Sequence, residues 1–445
     1  MCFPVFRTNL GQLIVSVIVC LTLLACGESS SSTTPLPIPS AADELERLVD
    51  TAVDRVDCYT ASIPVPVLFQ ETCQQLSGWI SSYNDALRAN WDRTLAPVAF
   101  SAELHPANSH RGYDLFTQGN LEALSLTLDS YQEMGIQAVT VKISFPILYP
   151  SFHQSAGEYQ QFLNFYTELA RDIRENRKLK LIVDSQAIFS DGNFSDLDVA
   201  DFYDSLTFAE YQAGRRHVIR TIAEVIRPNY LLILMEPDTE ALQTGKPMND
   251  PITATKFVQD TLNDLQSSQP TPVLIGAGTG TWHPRFREFF ERFAYETELD
   301  ILNVHIYPVS RDRLLRTLDI AEIARKAGKR LAITEAWLQK RHDVADTGRT
   351  VMEIFGRDPY EFWGPLDQAF LAVLVKYAHA ARLEFISPFW SNYFYAYLDY
   401  DKNKNLLPEQ RLTKAFAHCT ANLKTGRFTE TAITYSKLIG GPLGR

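Results

Sequence analysis

Short apolar runs alternate with longer stretches of helical periodicity from Pro97 onward, and the alternation repeats eight times along the chain. A helix between two strands supplies the long crossover that parallel pairing needs, so each strand is expected to lie parallel to the next. Eight such units in roughly 300 residues fit a closed barrel better than an open sheet. The sequence therefore predicts an α/β fold, a (β/α)₈ TIM barrel, over residues 96–425. The expected strands are 97–103, 138–144, 179–184, 230–236, 272–277, 300–306, 330–335 and 384–390.

Local signals place the helices around this barrel. Residues 41–95 have helical periodicity and are expected to pack on the barrel as a short N-terminal extension. Within the barrel, Asn120 is a predicted N-cap and Gly135 a predicted helix stop. The last helix is expected at about 408–423, and residues 426–445 are expected to be a C-terminal tail.

The N-terminus has the features of an export signal. Arg7 precedes an apolar run with the length of a secretory signal, too short to span a bilayer comfortably. The run ends in Leu-Leu-Ala-Cys at Cys26, which resembles the bacterial lipobox, whose cysteine is acylated. This resemblance implies a lipoprotein signal peptide at 1–25 and a Ser/Thr/Pro-rich tether at 26–40; a plain signal peptide is the alternative. Gly27, rather than Asp, favours the outer membrane of the cell envelope, on its periplasmic or surface face.

Composition limits the partners. The net charge of −11 argues against nucleic acid, and it also means that membrane contact requires an explicit anchor. The glycine-rich run 276–280 follows a predicted strand, but Thr281 occupies the third glycine position of the dinucleotide fingerprint. No cofactor is therefore expected. The sequence contains no nucleophile elbow, P-loop or H-E-x-x-H motif, which argues against the common serine hydrolases, NTPases and metallopeptidases.

The cysteines outside the signal predict one disulfide. Besides Cys26, the mature chain would keep Cys58, Cys73 and Cys419. In an oxidising compartment an odd trio indicates one bridge, and Cys58 and Cys73, which are close in sequence, are the predicted pair. Cys419 is expected to be a buried thiol on a helix. No spacing in the chain indicates a metal site.

Polar and aromatic side chains follow the predicted strands at their carboxyl ends, where the active site of such a barrel lies. Two are glutamates, Glu236 and Glu335, each at the end of an apolar run. This is the arrangement that acid/base and nucleophilic chemistry on a glycoside needs. Sugar rings also offer flat C–H faces to aromatic rings and hydroxyls to polar groups. The other candidate substrate-binding residues are His105, Lys142, Asp184, Trp282, His305, Tyr307, Trp337, Trp390 and Asn392.

Residues 97–425 resemble the clan of retaining (β/α)₈ glycoside hydrolases that includes cellulases, mannanases and endo-galactanases. The clan's acid/base glutamate ends strand four before a proline, as Glu236 does, and its nucleophile ends strand seven, as Glu335 does. The clan's strand-six and strand-eight residues are matched by His305, Tyr307 and Trp390. The resemblance implies a hydrolase that cleaves a β-linked oligo- or polysaccharide by double displacement, and the lipobox-like segment adds that it is membrane-anchored.

Two positions depart from the clan's pattern. Met235 stands where the clan usually has an asparagine that binds the sugar 2-hydroxyl, and Lys142 stands where it has an arginine that supports the nucleophile. Methionine cannot donate this hydrogen bond, and lysine lacks the bidentate fork. A second hypothesis therefore stays open, a catalytically impaired carbohydrate-binding or scaffold lipoprotein on the same barrel. The retained pair Glu236 and Glu335 favours the enzyme.

Several further residues have alternative interpretations. A strand-end glutamate alone is more often a salt-bridge or cap residue, so only the pair favours catalysis. Glu103 is a rival carboxylate, and an ion pair with Lys142 inside the barrel is its structural interpretation. Trp363 is predicted to be an aromatic platform outside the barrel. Asp238 and Glu240 are expected to be loop or cap residues.

Overall fold

The computed structural model describes residues 40–61, 63–190, 197–267, 273–341, 353 and 355–444. The predicted signal peptide, the acylated Cys26 and most of the tether lie outside these residues. Eight parallel strands close into a barrel in chain order, which confirms the predicted (β/α)₈ fold. The strands are β1 (Ala99–Glu103), β2 (Ala138–Lys142), β3 (Lys180–Asp184), β4 (Tyr230–Leu234), β5 (Leu274–Gly280), β6 (Ile301–Ile306), β7 (Arg330–Ala336) and β8 (Phe385–Pro388).

The barrel interior changes from apolar to polar along the strands. Above an apolar layer, Thr140 donates a hydrogen bond to Ser387 at 2.9 Å, and the Ser101 hydroxyl donates to the carbonyl of Ile386 at 3.1 Å. The polar layer faces the carboxyl ends of the strands, so charged side chains there have polar groups beneath them. The apolar layer is formed by Ala99, Ala138, Ile182, Tyr230, Leu232, Met235, Ile301, Ala332 and Phe385.

β4 carries an extra residue shortly before Glu236. Its pairing with β5 shifts between Leu232 and Leu234. Such a bulge re-aims the side chains that follow it. Leu234 therefore packs in the outer core, whereas Met235 belongs to the cluster inside the barrel.

β7 contains a similar shift before Glu335. Asn303 of β6 pairs with Ala332, and His305 pairs with Glu335, so one residue of β6 faces two residues of β7. The bulge explains how the consecutive residues Thr334 and Glu335 can both contact side chains at the barrel mouth. Bulges are frequent beside active sites for this reason.

The structure corrects one of the two predicted ends of the third helix and confirms the other. The N-cap of the third helix is Thr117, whose side chain accepts a hydrogen bond from the Asn120 N–H, so Asn120 as the N-cap is wrong. Gly135 is confirmed as the stop, because it adopts the left-handed conformation with φ of 79°.

In the described part of the chain, no helix is long and apolar enough to cross a membrane. The described α-helices are α1 (Ala41–Asp54), α2 (Val67–Asn90), α3 (Gln118–Met134), α4 (Ala156–Arg171), α5 (Ala200–Ser205), α6 (Phe208–Thr221), α7 (Pro237–Thr244), α8 (Pro251–Ser267), α9 (Phe286–Glu296), α10 (Arg311–Ala327), α11 (Gly364–Ala380), α12 (Tyr400–Asn403), α13 (Pro408–Lys424) and α14 (Glu430–Leu438).

A buried ion pair fastens the N-terminal helices to the barrel. Lys376 of α11 donates to Glu46 Oε1 of α1 at 2.8 Å and to Asn84 Oδ1 of α2 at 2.7 Å. Arg88 also donates to Glu46, at 2.7 Å. Because an unpaired buried charge is costly, these contacts fix α1 and α2 against α11.

The C-terminal segment is part of the packed structure. The expectation that α13 is the last helix is wrong, because α14 follows it. Tyr435 of α14 donates to the carbonyl of Ser101 at 3.0 Å, and Ser436 donates to the carbonyl of Met134 at 2.9 Å. The segment therefore closes the outside of β1 and the end of α3.

The glycines of β5 serve close packing. A Cβ at Gly278 would lie 1.5 Å from the carbonyl oxygen of Asn303, and one at Gly280 would lie 2.3 Å from the ring of Trp282. Glycine is required at both positions because backbone or an aromatic ring fills the space. The glycine-rich run is thus explained by the barrel itself.

Cys58 and Cys73 form a disulfide between residues 15 apart, and both cysteines are buried. Closing a loop of this length stabilises a fold by about 3 kcal/mol in the chain-entropy account. We expect the double variant Cys58→Ala/Cys73→Ala to lose about that free energy of unfolding in denaturant titrations. Reduction of the wild-type protein should give the same loss and leave the variant unchanged; equal stability of variant and wild type would contradict the prediction.

Candidate active site

Glu236 and Glu335 lie at the carboxyl end of the barrel, the first of them two positions after the end of β4 and the second within β7. Glu236 is 8% exposed and Glu335 is 4% exposed. Buried carboxylates need charged or hydrogen-bonding partners. Their partners and neighbours come from three other strands, as Lys142 of β2, Asp184 of β3 and His305 of β6.

His305 lies between the two glutamates. Its Nδ1 is 2.7 Å from Glu236 Oε1 and 3.7 Å from Glu335 Oε2. The sum of the two distances limits the separation of these oxygens to at most about 6.4 Å. A retaining carboxyl pair needs about 5 to 5.5 Å and an inverting pair about 6.5 to 9.5 Å, so the limit favours retention. Burial lowers the pKa of His305, but Glu335 and Glu236 outweigh burial, so the pKa is raised.

Both oxygens of Glu335 are held. Lys142 Nζ donates to Oε1, and the Tyr307 hydroxyl donates to Oε2 at 2.8 Å. Burial raises the pKa of Glu335, but the positive charges of Lys142 and His305 and these hydrogen bonds outweigh it, and the pKa is lowered. Burial and Glu335 raise the pKa of Tyr307, so its hydroxyl remains a donor. Glu335 is therefore kept ionised, as a nucleophile must be.

Lys142 lies between two carboxylates. Its Nζ contacts Glu335 and is 3.7 Å from Asp184 Oδ2. Burial lowers the pKa of Lys142, but the negative charges of Asp184 and Glu335 outweigh burial, so the pKa is raised and the ammonium stays charged. The alternative in which Lys142 pairs with Glu103 is excluded, because Lys142 contacts Glu335 and Asp184 and Glu103 accepts a hydrogen bond from Asn108 at 3.2 Å.

Asp184 is the third carboxylate of the site. It is fully buried, and within the described ranges neither of its oxygens has a hydrogen-bond partner. Burial raises the pKa of Asp184 to about 6, although Lys142 and His305 act in the opposite direction. Asp184, His305 and Glu335 bring possible ligand atoms within 4.8 Å of one another, and the ammonium of Lys142 supplies positive charge to this cluster.

Contacts with α6 hold the turn that carries Glu236 in place. Pro237 begins α7, and the carbonyl of Glu236 accepts a hydrogen bond from the N–H of Glu240 at 2.8 Å. The buried Arg215 of α6 pairs with Glu240 at 3.1 Å and donates to the carbonyl of Ile233 at 3.0 Å. Glu240 is thus not the loop or cap residue predicted. It fixes α7 against β4, and with it the position of Glu236.

Met235 points into the barrel rather than toward a ligand. It is completely buried within the interior apolar cluster. The bulge in β4 places it there, because the extra residue changes which side chains face inward. The position therefore presents apolar volume beneath Glu236 and offers no contact to a sugar hydroxyl.

Aromatic rings surround the carboxylates on two sides. Trp282 is half-buried, lies 5.8 Å from the ring of Tyr307, and donates its indole N–H to Asp238 at 2.8 Å. Phe389 lies beneath the ammonium of Lys142 at 5.0 Å, and Trp390 lies 5.3 Å from Phe389. Trp282 and Trp390 are thus predicted site residues that the structure places at the barrel mouth.

Two other candidates lie beside the cluster. His105 is partly exposed, stacks on Phe416 at 5.1 Å, and has its Nδ1 3.8 Å from Glu103. Asn392 is nearly buried after β8, and its carbonyl accepts hydrogen bonds from the backbone of residues 395 and 396. His105 and Asn392 thus lie near the ends of β1 and β8. The side chains that hydrogen-bond to Glu236 and Glu335 are instead those of Lys142, His305 and Tyr307.

Two tryptophans predicted to bind substrate are core residues instead. Trp337 is fully buried and stacks on Tyr393 at 5.5 Å. Trp363 is also fully buried, packs on Phe69 at 5.8 Å and donates its indole N–H to the carbonyl of Arg357 at 2.9 Å. Neither ring is available to a ligand, so both predictions are wrong; each ring fills space between the barrel and the segments outside it.

Three residues of the site were not singled out from the sequence. Phe389 precedes Trp390, and its apolar character made it indistinguishable from strand core. Asn303 lies two residues before His305 and therefore on the same face of β6. This two-residue spacing is the sequence signal that could have identified it. Thr334 directly precedes Glu335, and only the bulge brings both to the site.

Lys142→Met is expected to move the acidic limb of kcat/KM to higher pH. The nucleophile role expected for Glu335 from the sequence requires its ionised form, and that form is lost as pH falls through its pKa, which Lys142 lowers. Without the ammonium that pKa rises, so the limb shifts upward. Lys142→Arg keeps the charge and is the matched control; a pH profile that coincides for the Met variant and the wild type would refute the assignment.

The sequence matches no known family profile and no curated protein. Solved structures with a similar fold include glycoside hydrolases. The chain is 13% identical to a GH113 β-1,4-mannanase over 73% of its length and 98% of that chain, with a TM-score of 0.38. It is 14% identical to an endo-β-1,4-mannanase of family 26 from Cellulomonas fimi, over 71% and 68%, with a TM-score of 0.39. It is also 14% identical to an enolase protein from an environmental genome of the Sargasso Sea, over 81% and 73%, with a TM-score of 0.37. These likenesses concern the fold alone, so function must be argued from the side chains.

Proposed function

We propose that this chain is a retaining glycoside hydrolase that cleaves a β-linked glycan. The observation that carries the proposal is the contact of both glutamates with one imidazole, which brings their oxygens within the reach of a retaining pair. The different surroundings of the two carboxylates support distinct roles. Glu335 is held ionised by Lys142 and Tyr307, whereas the one side-chain hydrogen bond of Glu236 among the described residues is shared with His305.

The proposed reaction has two steps. Glu335 attacks the anomeric carbon while Glu236 protonates the leaving glycosidic oxygen, which forms a glycosyl ester on Glu335 and releases the first product. Glu236, now a carboxylate, takes a proton from water, which attacks the same carbon and restores Glu335. Lys142 and Tyr307 hold the oxygens of Glu335, and each oxygen keeps a lone pair for attack.

The surroundings of the carboxylates support a sugar ligand. Trp282, beside Tyr307, and Trp390, beside Phe389, are half-buried aromatic rings, and aromatic faces suit the C–H faces of pyranose rings. The alternative of a binding or scaffold protein loses one of its two supports, because Lys142 contacts the proposed nucleophile as the resemblance implies for an arginine. It keeps the other, because Met235 lies inside the barrel and supplies no hydrogen bond to a sugar hydroxyl.

A panel of aryl β-glycosides and β-linked glycans tests the proposal. Hydrolysis should release the β-anomer first, observed by proton NMR before mutarotation. An α-anomer as first product would replace retention by inversion, and absence of turnover across the panel would return the binding protein as the better account.

We also propose that the mature chain is attached to the cell envelope by a lipid on Cys26. The support is the lipobox-like tetrapeptide and the Ser/Thr/Pro-rich tether that follows it. In a bacterial host, labelled fatty acid should enter the wild-type chain and not Cys26→Ser, and the variant should leave the membrane fraction. Equal labelling of both would exclude this anchor.

A further inference from the structure

A continuous series of hydrogen bonds leads from the backbone of β7 to Glu236. The Thr334 N–H donates to Asn303 Oδ1 at 3.1 Å, and Asn303 Nδ2 donates back to Thr334 Oγ1 at 2.7 Å. Thr334 Oγ1 lies 2.8 Å from His305 Nε2, and His305 Nδ1 lies 2.7 Å from Glu236 Oε1. Asn303, Thr334 and His305 are completely buried.

The first bond fixes the direction of the second. A backbone N–H can only donate, so the oxygen of the Asn303 amide must face it, and the amide NH₂ must donate to Thr334. Within the described residues, the other hydrogen-bonding partner of Thr334 Oγ1 is Nε2 of His305, and the neutral ring can accept the hydroxyl proton there. Nε2 is then the acceptor, and the proton of the ring lies on Nδ1.

We infer that Asn303 and Thr334 are positioning residues that fix the tautomer of His305, so that Nδ1–H donates to Oε1 of Glu236. The inference rests on the proposed function of Glu236 as the acid/base. Because Oε1 is occupied as an acceptor, the transferable proton is confined to Oε2. In the opposite tautomer Nδ1 would accept the proton of Glu236 and hold it away from the leaving oxygen.

Protonation of the ring does not reverse this assignment. A second proton enters at Nε2, which is 3.8 Å from Asp184 Oδ2, and Nδ1 still donates to Glu236. The charged groups that face the ring are Glu236 of the β4 turn, Glu335 of β7 and Asp184 of β3, with Lys142 of β2 beyond them. The Thr334 hydroxyl is then free to rotate.

The tautomer can be read directly by ¹⁵N NMR of histidine-labelled protein, with His305→Gln used to assign the signal. At a pH above the pKa of His305, where the ring is neutral, wild type and Thr334→Ser should show Nδ1–H, whereas Thr334→Val, which lacks the hydroxyl, should populate Nε2–H. In Asn303→Asp the new carboxylate has no donor, so the hydroxyl turns toward it and Nε2–H should again appear.

Kinetics give the second readout. Thr334→Val should lower kcat by about 100-fold with little change in KM, and Thr334→Ser should stay within about threefold of wild type. An Nε2–H tautomer in the wild type, or an unchanged tautomer in both Thr334→Val and Asn303→Asp, would overturn the inference. The NMR result decides this even if no glycoside is hydrolysed, so it is separate from the proposed function.

Discussion

Glu335→Gln is expected to lower kcat by at least about 10⁴-fold on every glycoside that the wild type hydrolyses. The amide preserves shape and can still accept from Tyr307, but it cannot attack the anomeric carbon. Lys142 keeps Asp184 as a partner, so the buried ammonium is not left without a counter-charge. Initial rates with an aryl β-glycoside measure the loss.

Glu103→Gln is the matched control for this loss. Glu103 is a buried carboxylate at the same end of the barrel, bonded to Asn108 rather than to the two catalytic candidates. We expect its removal to leave kcat within about threefold of wild type, because strand-end carboxylates outside the reacting pair act structurally. Thermal unfolding should show both variants folded. A Glu335→Gln enzyme with more than a tenth of wild-type kcat would contradict the assignment.

Glu236→Gln is expected to have the next largest effect, with a loss of about 10²- to 10⁴-fold in kcat on unactivated glycans. Protonation of the leaving oxygen is required when the leaving group is a sugar alkoxide. An aryl leaving group of low pKa needs little protonation, so the first step should be nearly preserved for such substrates. Deglycosylation still needs a base, so the glycosyl-enzyme should accumulate.

The comparison of leaving groups distinguishes general acid catalysis from a fold defect. Pre-steady-state kinetics should show a burst of phenol followed by slow turnover in Glu236→Gln. Equal losses for activated and unactivated substrates, without a burst, would mean that Glu236 acts in another way. His305→Gln should resemble this variant only in part, because it keeps the carboxyl group of Glu236 and removes the donor to Oε1.

The barrel could be predicted from the sequence because its signals are redundant. Eight apolar runs separated by helical periodicity leave one closed topology, and the observed strands overlap the predicted ones. The placement of Glu236 and Glu335 followed, since strand ends converge at one face of a barrel. Asn120 shows the limit of local signals, because Thr117 offered an equally good cap three residues earlier.

The interior details could not be predicted in the same way. Strands buried on both faces show no alternation of polar and apolar residues, so the bulges cannot be recognised in the sequence. These bulges turn Met235 into the barrel and bring the side chains of both Thr334 and Glu335 to the barrel mouth. Trp337 and Trp363 were misplaced because aromatic residues serve cores and sugar sites equally well. The choice between Glu103 and Glu335 as the partner of Lys142 could not be made without the stagger between the strands.

The most direct test of the double-displacement account is the identification of the residue that becomes glycosylated. A 2-deoxy-2-fluoro β-glycoside with a good leaving group slows the second step, so the intermediate can be trapped and its peptides examined by mass spectrometry. The account predicts one added sugar, carried by the peptide that contains Glu335 and absent from Glu335→Gln. A sugar on any other carboxylate, or turnover of substrate with no covalent intermediate, would contradict it.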